Sequence, residues 1–233
     1  MAHSRLKGRP GRVASESQST PRRYCGLMPA DKRRAICLLT SDGARRNRGC
    51  DCYVGAALED DAQSESGCVE VEPELEPVEI SCLILNEIEQ HARETYPEEC
   101  CGLLSGDGHG RFRCLHKCRN EMTALHDAAP STYPCDGRSA FHMNPLEYAR
   151  VEEEAHARGE RITAVYHSHV GARAYFSAVD LAFATRPDFP FPDADHIVVA
   201  VVDGGVQRDE RALFRRSRRG GRFRGHALRE LPA

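Results

Sequence analysis

The spacing of apolar and polar positions divides the second half of the chain into short, distinct elements. From Ile84 to Thr95 the pattern predicts a helix, which Pro97 ends because the residue before a proline is driven out of the helical region. A small, apolar run from Cys100 to Ser105 and a second run over 111–118 read as strands. A loop over 119–136 follows, then a predicted strand over 139–143. Asn144-Pro145 opens a second helix, which continues through Glu152-Glu153-Glu154 to Arg158 and stops at Gly159. Ile162-Thr163-Ala164-Val165-Tyr166 is rich in β-branched and aromatic residues and predicts a strand running directly into His167. Ser177-Ala178-Val179-Asp180 has the form of a capping box ahead of the apolar run Leu181-Ala182-Phe183-Ala184. Strands over 196–203 and 211–215 complete the set. Helices and strands mix without strict βαβ alternation, which predicts a single α/β domain built on a mixed, curved sheet flanked by helices.

Composition changes this picture at the ends. The chain has 233 residues, enough for one domain of ordinary size plus tails, and its formal charge of -3 exerts no global pull toward nucleic acid. Charge is unevenly placed. Residues 1 to 50 are rich in Arg and Lys and carry the polar run Ser15-Glu16-Ser17-Gln18-Ser19-Thr20, and an acidic stretch broken by Pro73 and Pro77 follows. Residues 1–77 are therefore expected to be a low-order basic and then acidic extension, 78–216 the domain, and 217–233 a basic, flexible tail. There is no secretory leader pattern near the start, and the longest apolar run, Ile197 to Val202, has only strand length. The expected location is the cytoplasm. The 11 scattered cysteines accordingly read as reduced thiols, and neither Cys50-x-Cys52 nor Cys114-Leu115-His116-Lys117-Cys118 has a partner pair at zinc-ribbon spacing.

Chemistry is concentrated in His167-Ser168-His169 with Ser177 and Asp180. Residues two apart on a strand share a face, about 6.6 Å apart along its axis, so His167 and His169 can converge on one ion while Ser168 faces away. Asp180 in the first helical turn supplies a third N/O ligand. Three protein ligands suit a catalytic zinc, which keeps a position open, better than a structural one. Taken singly, each of these residues has an ordinary reading as a cap or a strand position. A metal-activated water also needs a base that is not a ligand, and Glu98 and Glu99 are both candidates, alternating in direction so that only one can face the site.

The combination Pro97-x-Glu99-x-Cys101-Gly102-Leu103-Leu104 with His-x-His, Ser and Asp resembles the JAMM/MPN+ metalloprotease family over roughly residues 78 to 216. The resemblance implies a JAB/MPN-like, cytidine-deaminase-like fold. It makes Glu99 the general base, His167, His169 and Asp180 the ligands of one catalytic zinc, and Ser177 the hydroxyl that helps hold the oxyanion. Many relatives carry Pro directly after the second His, where this chain has Val170, and a change in loop stiffness is expected. The compact bacterial branch is the nearest in form. It implies hydrolysis of a peptide or isopeptide bond after the C-terminal Gly-Gly of a ubiquitin-like or sulfur-carrier protein. In JAMM enzymes the region matching Asn120 to Gly137 helps hold the substrate tail; a surface excursion is the plain alternative. Two other function classes remain open: a DNA-associated RadC-like JAB protein, supported only by the basic tails, and a non-catalytic MPN interaction module. His126 and His142 are expected to be structural.

Overall fold

The computed structural model describes residues 67–217 and 221–232. The readings of residues 1–66, including Cys50-x-Cys52, lie outside the described residues. In chain order the elements are β1 (Val78–Ser81), α1 (Cys82–Thr95), β2 (Cys101–Gly106), β3 (Cys114–Cys118), α2 (Met122–Ala128), α3 (Pro145–Ala157), β4 (Arg161–Val170), α4 (Ala178–Ala184), β5 (Asp195–Val202), β6 (Gly205–Arg216) and β7 (Phe223–Leu231). The strands form one mixed sheet in the order β1-β7-β6-β5-β4-β2-β3, parallel at β1/β7 and β4/β5 and antiparallel elsewhere.

Alternation along β4 decides what each face of the sheet holds. Ala164 and Tyr166 point to one face, where α1 lays Ile84, Leu85, Ile88 and Ala92 against them and against Ile197, Val199 and Leu213. These α1 positions recur at helical spacing, so a single apolar stripe is buried. Val165 points to the other face, with Leu103 and with Val151 and Ala155 of α3. His167 and His169 continue that second face. The close approach of β2 to β4 needs a residue without a side chain: a Cβ on Gly102 would lie 2.4 Å from the Tyr166 hydroxyl.

α3 begins as its sequence predicts, and α1 begins at Cys82, two residues ahead of the expected start. Ser81 caps α1 by accepting from the Leu83 N–H, and Asn144 caps α3 by accepting from the Leu146 N–H. Gly159, at a φ of 75°, closes the end of α3.

Four expectations need correction. The run 139–143 is not a strand; only Met143 bridges Asn120. Its backbone groups are occupied locally instead. The Asn120 side chain takes the Ala140 carbonyl and the His142 N–H, and the Glu121 N–H takes the His142 carbonyl. The predicted loop over 119–136 contains α2, a short helix that buries none of its residues and so shows no apolar stripe. The final strand is much longer than 211–215, because Asp203 and Gly204, both at positive φ, turn β5 tightly into β6.

The last correction concerns the tail. Residues 223–231 form β7, held between β6 and β1. Phe223 is buried while Arg224 and Arg229 point outward. Arg224 pairs with Glu72, and Arg229 with Glu79 at 2.6 Å, so charges of the acidic stretch expected to be low-order and of the basic tail expected to be flexible neutralise one another. Just before β1, Val69 bridges Phe176, which puts that acidic stretch beside the loop entering α4.

Candidate metal centre

β4 carries His167 and His169 into the interior on one face, as period-two alternation requires. The chain leaves β4 at Gly171, whose φ of 70° suits glycine, and returns through Phe176 to the cap of α4. Val170 stays in β4, paired with Val201.

The capping box at the start of α4 then sets Asp180. Ser177 Oγ accepts from the Asp180 N–H at 3.1 Å, while Asp180 Oδ2 accepts from the Ser177 N–H at 2.9 Å and from the Ser177 hydroxyl at 2.7 Å. The same carboxylate reaches His167 Nε2 through Oδ1 at 3.4 Å and His169 Nε2 through Oδ2 at 3.4 Å. The cap and the candidate ligand are therefore one side chain in two roles. The ordinary reading of Asp180 as a cap is correct, and the same carboxylate also stands where a metal ligand would.

The two imidazole Nε2 atoms lie 3.2 Å apart, and the donor atoms of His167, His169 and Asp180 all fall within 4.8 Å of one another. A tetrahedral zinc with bonds of about 2.0–2.1 Å needs ligand atoms separated by about 3.3 Å. Separations of 3.2 and 3.4 Å match that edge, so these three residues fit a zinc ion. All three are buried.

Their surroundings orient them. His169 Nδ1 lies 3.0 Å from the Arg173 carbonyl, which fixes its proton there and leaves Nε2 free to bind metal. His167 stacks on Phe141 with ring centroids 4.7 Å apart, while its Nδ1 is buried with no hydrogen-bond partner among the described residues. Tyr175 meets the His169 ring edge-on. Burial alone would raise the Asp180 carboxyl, but the two imidazoles beside it reverse this and hold it well below the usual carboxylate range. Burial alone would lower His169, and Asp180 together with Glu99 raises it instead. Behind the site His196 is fully enclosed, and burial lowers it to about 3, so it stays neutral.

Glu98 and Glu99 part as alternation requires. Glu99 is 6% exposed and interacts electrostatically with both His169 and Asp180. Burial pushes its carboxyl up to about 8, with His169 pulling it down and Asp180 pushing it further up. Glu98 instead accepts from the Thr123 hydroxyl at 2.7 Å, turned toward α2. His126 lies 2.7 Å from the Tyr133 carbonyl, and burial lowers His142. Neither joins the centre.

Two contributors were not legible in the sequence. Phe141 sits in what read as a strand, and Asn120 in what read as the start of a loop. The one local signal for Asn120 is that an Asn two residues before a helical run accepts from the backbone N–H there, as it does from Met122.

Residues 84–216 match the family described as prokaryotic homologs of the JAB domain. The chain is 30% identical over 121 residues to the CysO-cysteine peptidases of Mycobacterium tuberculosis and Mycobacterium bovis, covering 52% of this chain and 70% of each relative. Among solved structures, a protein from Desulfitobacterium hafniense is 19% identical, with a TM-score of 0.47 over 66% of this chain and 93% of that one. A JAB1/MPN domain protein from Archaeoglobus fulgidus is 18% identical, with a TM-score of 0.36 over 66% of this chain and 99% of that one.

Proposed function

We propose that this chain, which belongs to the family of prokaryotic homologs of the JAB domain, is a zinc metallopeptidase or isopeptidase. Its proposed substrate is the amide bond after the C-terminal Gly-Gly of a ubiquitin-like or sulfur-carrier protein. The observation that carries the reading is the convergence of His167, His169 and Asp180 at tetrahedral spacing, with the buried Glu99 alongside. The peptidase relatives support the hydrolase class, and the name CysO-cysteine peptidase points toward a carrier protein as substrate.

When bound, zinc would supply Lewis acidity toward a water and toward the scissile carbonyl. His167 and His169 would hold it through Nε2, with Asp180 as the anionic ligand. Glu99 takes the proton of the attacking water and returns it to the leaving amine. Burial lifts this carboxyl to about 8 without metal, and beside a bound dication it would fall back toward neutrality, where one group can serve as base and then as acid. Ser177 donates its hydroxyl hydrogen to Asp180 Oδ2. To help the developing oxyanion it needs only to turn that hydrogen, because its Oγ keeps the N-cap bond from the Asp180 N–H meanwhile.

The test is mass-spectrometric cleavage of a sulfur carrier extended after Gly-Gly, with zinc-loaded wild type and Glu99→Gln side by side. Wild type alone should cut after the second glycine, and Glu99→Gln should keep its zinc and lose about 10²–10⁴-fold in rate. Hydrolysis by Glu99→Gln at the wild-type rate would remove Glu99 as the base. A wild type that holds one zinc and leaves the carrier intact would retain the metal assignment and reject this substrate.

A further inference from the structure

We propose that Asn120 is a positioning residue that holds Glu99 and Phe141 in one frame, an inference that rests on the peptidase reading above. Asn120 follows β3 and touches neither the metal ligands nor the carboxyl of Glu99 by any bond the structure contains. Its side-chain amide is nevertheless fully engaged. Nδ2 faces the carbonyls of Glu99 at 3.0 Å, Ala140 at 3.1 Å and Gly137 at 3.4 Å. Oδ1 accepts from the N–H groups of Met122 at 3.0 Å and His142 at 3.1 Å.

The identity of those partners carries the argument. One is the peptide of Glu99 itself. Two others, the Ala140 carbonyl and the His142 N–H, belong to the residues on either side of Phe141, whose ring stacks on His167. The Gly137 carbonyl also accepts from the Glu99 N–H at 2.6 Å, so the Glu99 backbone is gripped on both sides by the same loop. A primary amide has two donor hydrogens and two acceptor lone pairs. Asn120 spends both hydrogens and one acceptor bond in tying the approach to β2 to the segment from Gly137 to His142, which makes no strand of its own, and its other acceptor bond takes the Met122 N–H at the start of α2. The base and the aromatic wall over one ligand thus move together or not at all.

Asn120→Asp separates this role from general stability. The shape is unchanged and the acceptor for Met122 and His142 remains, but an oxygen now faces the three carbonyls that Nδ2 served. Three measurements apply: zinc content, kcat and KM on the extended carrier, and amide hydrogen exchange of the metal-free protein. The expected result is one zinc per chain, kcat lower by about 30- to 100-fold and KM within about threefold, since a small misplacement of a catalytic group acts on turnover. The Glu99 N–H should exchange at least about tenfold faster while amides of β4 and β5 stay within about twofold.

Unchanged exchange at Glu99, unchanged kcat, or exchange rising equally through β4 and β5 would each overturn the proposal, the last by showing a merely structural staple. If the aspartate does not fold, Asn120→Ala replaces it. There the N–H groups of Glu99, Met122 and His142 should all exchange faster over a quiet β4. A wild type that holds zinc but cuts no amide sinks the peptidase reading alone, because the exchange measurements still decide what Asn120 does.

Discussion

Burial lifts the Glu99 carboxyl to about 8, and this single residue gives the metal-free protein a pH signature. Its pKa in the unfolded chain is near 4.5, so the folded state holds its proton more tightly. Below about pH 4.5 both states are protonated and the group costs nothing. As pH rises toward 8 the unfolded chain ionises first, and stability falls across that window. With metal removed, Glu99→Gln should therefore match wild type near pH 4.5 and exceed it at pH 8 by on the order of 2–4 kcal/mol. Urea denaturation at the two pH values measures this, and equal slopes with pH would show that Glu99 is not the strained group. Spacing alone left Glu98 and Glu99 as equal candidates, and only the family resemblance favoured Glu99. They were separated by which side of the chain faces β4 and which faces Thr123, a fact of packing that neighbouring residues do not encode.

At the scale of elements, the capping box of α4 puts a helix cap and part of the proposed metal site in one set of atoms. Ser177→Ala removes the acceptor for the Asp180 N–H and the hydroxyl donated to Asp180 Oδ2. It should cost about 1 kcal/mol of stability, seen as a lower melting temperature, as capping losses generally do. Because the three proposed ligand side chains remain, the zinc should stay bound while kcat falls by about 10²-fold or more through loss of the proposed oxyanion donor. Loss of zinc from this variant would show that the cap, rather than the ligand set, is what holds the metal site together. This element was readable in advance because its signal is local: a serine, an acid three residues on, and an apolar run. The run over 139–143 misled for the converse reason. Its apolar pattern suits a strand, but Asn120 and Glu121 had already taken the hydrogen bonds a ladder would need.

For the whole molecule, the decisive feature is that the acidic and basic stretches meet. β7 lies between β6 and β1, buries Phe223, and pairs Arg224 and Arg229 with Glu72 and Glu79. A chain ending at Ser217 should lose cooperative melting and expose an apolar edge on β6, whereas a merely solvated tail could be removed without effect. Thermal unfolding followed by circular dichroism distinguishes the two. Among the described residues no helix is long and apolar enough to cross a membrane. What the sequence determined by itself was the set of features whose causes lie within a few residues: α1 with its stop, α3 with its cap and stop, the strand that carries His167 and His169, and the types and spacing of the candidate ligands. What only the tertiary structure decided was which distant groups meet. Glu99 came to face His169, Asn120 to grip Glu99 and the peptides around Phe141, and two charged stretches to meet in ion pairs beside β7. Those outcomes depend on partners far apart in the chain, and neither periodicity nor local charge specifies a partner.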